Sequence, residues 1–86
     1  MKLGLENEQS FIRDYRLKIG DALRRVRENK GYSQDELAEM MNLNCSTISK
    51  IENGKFNLSL DYLSKFSLFL DFEFQLKETN NNKSGT

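Results

Sequence analysis

The sequence predicts an all-α domain of four to five helices followed by one short β-strand. Three observations carry this. Apolar residues recur at three- and four-residue steps from Phe11 to Val26, the period of a helix face. Small polar residues that favour helix starts stand at Ser33, Asn44 and Ser59, each ahead of a further apolar pattern. Only the stretch from Asp71 to Lys77, "DFEFQLK", changes period, with Phe72, Phe74 and Leu76 alternating with polar residues as a half-buried strand does.

Taken in order, residues 1–9 are polar and expected to be a flexible N-terminus. From Ser10 the pattern is helical, and Phe11, Tyr15, Ile19, Leu23 and Val26 would share one face. Gly20 interrupts that run, so a break near Asp14–Lys18 would divide it in two. Gly31 suits the left-handed position that closes a helix. Ser33 and Glu36 have the spacing of a capping box, with Tyr32 and Leu37 flanking it as a hydrophobic staple. Leu37, Ala38 and Met41 give this short helix its apolar face. Asn42-Leu43-Asn44 is a tight connection in which Asn42 tolerates positive φ and Asn44 is a good N-cap. The third helix runs from Cys45 to about Asn53, burying Ile48 and Ile51, and Gly54 stops it. A fourth helix follows Ser59, with Leu60, Leu63, Phe66, Ser67 and Leu70 on its inner face. The organisation is a helical domain over 10–70, a strand over 71–78 and a polar tail, "ETNNNKSGT", expected to be disordered over 79–86.

With 86 residues the chain is one domain with a modest core, and 37% apolar content suffices only if the helices are cleanly amphipathic. Thirteen basic residues balance thirteen acidic ones, so no global field draws the chain to nucleic acid or membrane; an anion-binding surface must be a local patch. Cys45 is the only cysteine, so no intramolecular disulfide can form. There is no histidine, and no cysteine or carboxylate cluster has metal-ligand spacing. Asp35, Glu36 and Glu39 lie on an outward helix face and need no catalytic explanation. No catalytic residue, metal or cofactor is expected. The absence of a long apolar run and of an apolar leader core points to a cytoplasmic protein without membrane contact.

The stretch "SQDELAEMMNLNCSTISKIENGK", with "LRRVRENKGYS" before it, resembles the lambda-repressor-like helix-turn-helix family of xenobiotic-response-element (XRE) type. Gln34, Leu37-Ala38, Ile48 and Ile51-Glu52-Asn53-Gly54 carry the likeness, which covers about Ile19 to Leu70. The resemblance implies double-stranded DNA as partner, with the third helix in the major groove and its first residues facing base edges. That would explain why this helix opens with Asn44, Cys45, Ser46 and Thr47, all mediocre helix formers. Short side chains let backbone and hydroxyl groups approach bases or phosphates, and Lys50, one turn on, can reach guanine or phosphate. Gln34 would touch phosphate and brace the recognition helix. Asn53 and Lys55 match positions where the loop meets the DNA backbone, although Asn53 also suits a C-terminal cap. Arg27 and Glu52 match an interhelical salt bridge of the family. Asn42, Leu58 and Ser67 depart from its usual Gly, Pro and small apolar residue.

A lone strand leaves backbone groups unpaired. Phe72, Phe74 and Leu76 are therefore expected to pair with a second copy about a two-fold axis, burying Leu68 and Phe69 at the junction of a homodimer. The expected function is a sequence-specific transcriptional regulator, a dimeric autorepressor, reading a two-fold operator. A C-terminal strand after four helices also looks like the antitoxins of Hip-type toxin–antitoxin pairs, which implies a kinase-like toxin as an alternative partner. A protein-interaction module without DNA binding is the third reading. Cys45 stands at a helix start, where the dipole lowers a thiol pKa. A redox switch there is a lesser alternative to a DNA-facing or packed thiol.

Overall fold

The computed structural model describes residues 5–79 as four helices: α1 (Leu5–Asn29), α2 (Gln34–Met41), α3 (Cys45–Glu52) and α4 (Leu60–Leu70). One core joins them, made of Leu23 from α1, Leu37, Ala38 and Met41 from α2, Ile48 and Ile51 from α3, and Phe66 and Leu70 from α4.

α1 is a single helix of 25 residues, about 37 Å long at 1.5 Å per residue. It starts at Leu5 rather than Ser10, so residues 5–9, expected to be flexible, are helical; residues 1–4 lie outside the described residues. No break occurs near Asp14–Lys18. Gly20 is buried because α3 crosses α1 there: a Cβ on Gly20 would fall 2.8 Å from the Glu52 carbonyl oxygen and closer still to that of Ile51. Glycine lowers helix propensity by roughly 1 kcal/mol against alanine, and here that loss admits a backbone-to-backbone approach. The first half of α1 runs past the cluster formed by the other helices. Phe11 and Tyr15, expected on the buried face, are therefore 53% and 45% exposed.

Side-chain caps form at two of the three expected helix starts. Glu36 N–H donates to Ser33 Oγ at 3.0 Å and Ser33 N–H to the Glu36 carboxylate at 2.8 Å, completing the box. Asn42 takes φ +59° and turns the chain into α3. Tyr62 N–H donates to Ser59 Oγ at 3.1 Å. Asn44 occupies the N-cap of α3 with extended backbone, but its side chain makes no capping hydrogen bond. On α4, Leu60 is 75% exposed rather than inward, because the first residue of the helix lies beyond the core it packs on.

The expected strand is absent among the described residues. Asp71 caps α4 in the left-handed region (φ +58°), and Ser67 Oγ donates to the Phe72 carbonyl, so the chain turns sharply. Phe72 packs against the core, Phe74 stacks edge-on to it at 4.9 Å, and both line a groove with Ile19, Ala22 and Val26 of α1. The physical reason is the lack of a partner: a strand needs a second strand for its backbone groups, and a single protomer offers none. Leu68 and Leu76 are exposed, and Phe69 is partly buried against the core. Of the tail expected over 79–86, residues 80–86 lie outside the described residues.

Candidate nucleic-acid interface

The start of α3 presents polar side chains on one side and is anchored in the core on the other. Asn44 and Ser46 are exposed and Cys45 and Thr47 half-buried, while Ile48 and Ile51 are fully enclosed. Thr47 N–H and Ile48 N–H reach the Asn44 carbonyl at 3.0 and 3.3 Å, fixing the first turn. The Asn44 side chain is left unspent by the cap, and the leading N–H groups of any helix lack intrahelical partners. Lys50 is exposed one turn on. This surface therefore carries donors, acceptors and one cation.

A buried ion pair holds the helix in place. Arg27 Nε donates to Glu52 Oε2 at 2.7 Å and Arg27 Nη2 to Glu52 Oε1 at 3.0 Å, the parallel fork that carboxylates take from arginine. Both residues are buried, at 7% and 5% exposure. Arg27 Nη1 also donates to the Tyr32 carbonyl at 2.7 Å, and Gln34 Nε2 donates to Glu52 Oε1 at 2.9 Å. The end of α1, the start of α2 and the end of α3 are thus tied at one carboxylate. The hydrogen bond to Glu52 raises the Arg27 pKa further above its already high value. Gln34, expected at a phosphate, gives one of its amide donors to Glu52; an amide nitrogen has two. The Tyr32 carbonyl was not foreseen from the sequence, because backbone acceptors leave no trace in residue type.

At the far end of α3, Asn53 is the C-cap residue and its Nδ2 donates to Ser49 Oγ at 3.4 Å. Lys55 N–H closes on the Lys50 carbonyl at 2.8 Å, and both Asn53 and Lys55 are exposed. Ser46, Lys50, Asn53 and Lys55 all belong to α3 and the turn that leaves it, with Gln34 joined to them through Glu52. Cys45 departs from expectation. The Asp35 side chain beside it, aided by desolvation, pushes its thiol pKa up. The redox reading required the opposite shift.

Two short, capped helices locked across a tight turn, with the polar start of the second exposed, define a helix-turn-helix protein. The chain belongs to the helix-turn-helix family, which matches residues 23–76, and within it to the XRE type. It is 33% identical over 69 residues to a hypothetical transcription factor of Neisseria meningitidis serogroup B, a match covering 80% of this chain. The chain spans 65% of that relative's length. Among solved structures it is similar to the restriction-modification controller protein C.AhdI of Aeromonas hydrophila, at 38% identity and a TM-score of 0.63, over 66% of this chain and 86% of the controller. Among the described residues no helix is long and apolar enough to cross a membrane.

Proposed function

We propose that the chain is a sequence-specific DNA-binding transcriptional regulator without catalytic activity, which acts as a dimeric autorepressor. The observation that carries this is the asymmetry of α3. Ile48, Ile51 and the Arg27–Glu52–Gln34 network fix its inner side, while Asn44, Ser46 and Lys50 stand exposed at the opposite side. A rigid helix with free polar groups at its start is what major-groove readout requires. Asn44, Cys45, Ser46, Thr47 and Lys50 would face the groove, with Gln34, Asn53 and Lys55 at the phosphates. The transcription-factor relative and the controller protein support the regulatory reading. Dimerisation is supported by Leu68 and Leu76, apolar side chains left in solvent, and by Phe74, half exposed at the groove on α1.

Fluorescence anisotropy against the DNA upstream of the chain's own gene, beside a shuffled duplex, tests this. Tight binding to the upstream DNA that shuffling abolishes is the expected result. Equal affinity for both duplexes, or none for either, contradicts autorepression.

A further inference from the structure

The basic residues of α1 divide into two groups. In its second half every arginine has a carboxylate within ion-pair distance: Asp21 is shared by Arg24 and Arg25, the latter at 3.0 Å, Glu28 lies 3.9 Å from Arg24, and Glu52 pairs with Arg27. In its first half, no acid among residues 7–79 lies within ion-pair distance of Arg13 or Arg16. These two flank the turn that leaves the recognition helix. Leu17 packs on Gly54 so closely that a Cβ there would lie 2.8 Å from Leu17 Cδ2, and Gln9, Arg13 and Arg16 line one concavity with Gly54. The next residue is Lys55, exposed. This half of α1 precedes residue 23, so it lies outside the stretch that matches the family.

Resting on the DNA-binding reading above, we propose that the first half of α1 is a phosphate clamp. Arg13 and Arg16, beside Gly54 and Lys55, grip the phosphodiester backbone flanking the site that α3 reads. A chain of zero net charge has no general attraction for DNA, so sequence-independent affinity must come from unpaired cations set together. Arg27 is buried on Glu52, and Arg24 and Arg25 already face Asp21. Among the described side chains Arg13 and Arg16 are bound to no carboxylate, and guanidinium groups suit phosphate oxygens.

The test is the salt dependence of DNA binding by the full chain. Each phosphate contact removed lowers the slope of log K against log salt by about 0.9, so Arg13→Ala/Arg16→Ala should lower it by about 1.8 per protomer bound, or about 3.6 for the proposed dimer. A fourfold rise in salt would then weaken the dimeric parent about 150-fold more than the variant. The loss should fall equally on operator and shuffled duplexes, leaving their ratio unchanged. Arg13→Lys/Arg16→Lys should keep the parent slope. Arg25→Ala removes one charge, as Arg13→Ala alone does, from an arginine already paired and should leave the slope unaltered. Because Arg16 is half-buried, Arg13→Ala alone, at an exposed site, guards against a folding defect and should give half the effect. An unchanged slope in the double variant, with binding otherwise intact, overturns the clamp and leaves the DNA-binding reading standing. An equal drop in Arg25→Ala overturns it too, since total charge alone would then account for the change. A parent protein that binds no DNA overturns both.

Discussion

Arg27 and Glu52, 25 residues apart, share two hydrogen bonds in the interior and are the point at which three helices are fastened. The pair is not thereby a large net source of stability, because both ions lose their hydration on burial. Its effect shows when one side is removed. Glu52→Ala strips a buried guanidinium of its two short carboxylate bonds, leaving only Glu28 at 3.9 Å, and frees Gln34; it should cost roughly 3–5 kcal/mol, a large part of the ~5–15 kcal/mol that holds a small domain folded. Urea denaturation checks this; a loss below about 1 kcal/mol, the range of exposed pairs, would show that the pair is solvated.

Gly20→Ala separates packing from propensity. Propensity alone favours alanine by roughly 1 kcal/mol. The crossing of α3 at that position forbids the methyl group without a backbone shift, so the substitution should destabilise by about 1–3 kcal/mol. A rise in melting temperature would mean that α1 and α3 do not approach as described.

Cys45 should be a poor nucleophile. Its thiolate would face the Asp35 carboxylate, so alkylation by iodoacetamide should reach half its maximal rate at a pH above that of a free thiol, about 8.5. Asp35→Asn should bring the midpoint down. The folded chain holds this proton more tightly than the unfolded one. The associated stability is therefore present below the unfolded thiol's pKa and is lost as pH rises through the folded value. A midpoint below that of a free thiol would restore the redox reading.

Phe74→Ser/Leu76→Ser should dissociate the proposed dimer, because these apolar side chains stand in solvent in the single protomer. Sedimentation velocity of parent and variant decides it. A parent that is monomeric at tens of micromolar, or a variant as dimeric as the parent, would remove the C-terminal segment from the interface.

Much of this fold was legible because its signals are local. The Ser33–Glu36 box, the left-handed Asn42 and the Ser59 cap depend on neighbouring residues, and the apolar steps from Leu37 to Ile51 name most of the core. The Arg27–Glu52 pair came from the family resemblance, since nothing local links residues so far apart. Features set by distant partners were not legible. Gly20 looks like a helix breaker until α3 is laid across it. Leu5–Gln9 lacks an apolar stripe and so gives no helical signal, although nothing in it opposes helix. Phe72 to Leu76 alternates like a strand, but alternation does not supply a second strand, and the phenyl rings settle on α1 instead. At the candidate site, the exposure of Asn44, Ser46 and Lys50 followed the pattern. The use of Gln34 on Glu52 and the placement of Arg13 and Arg16 beside Gly54 needed the tertiary fold.

The central claim is that the exposed start of α3 reads bases. Its most direct test is the affinity of Ser46→Ala and Lys50→Ala for a duplex selected from a random pool, beside a shuffled duplex at the same salt. The account predicts that at least one variant loses roughly 1–3 kcal/mol on the selected duplex while its affinity for the shuffled one changes little. Full retention of selectivity by both variants would contradict it.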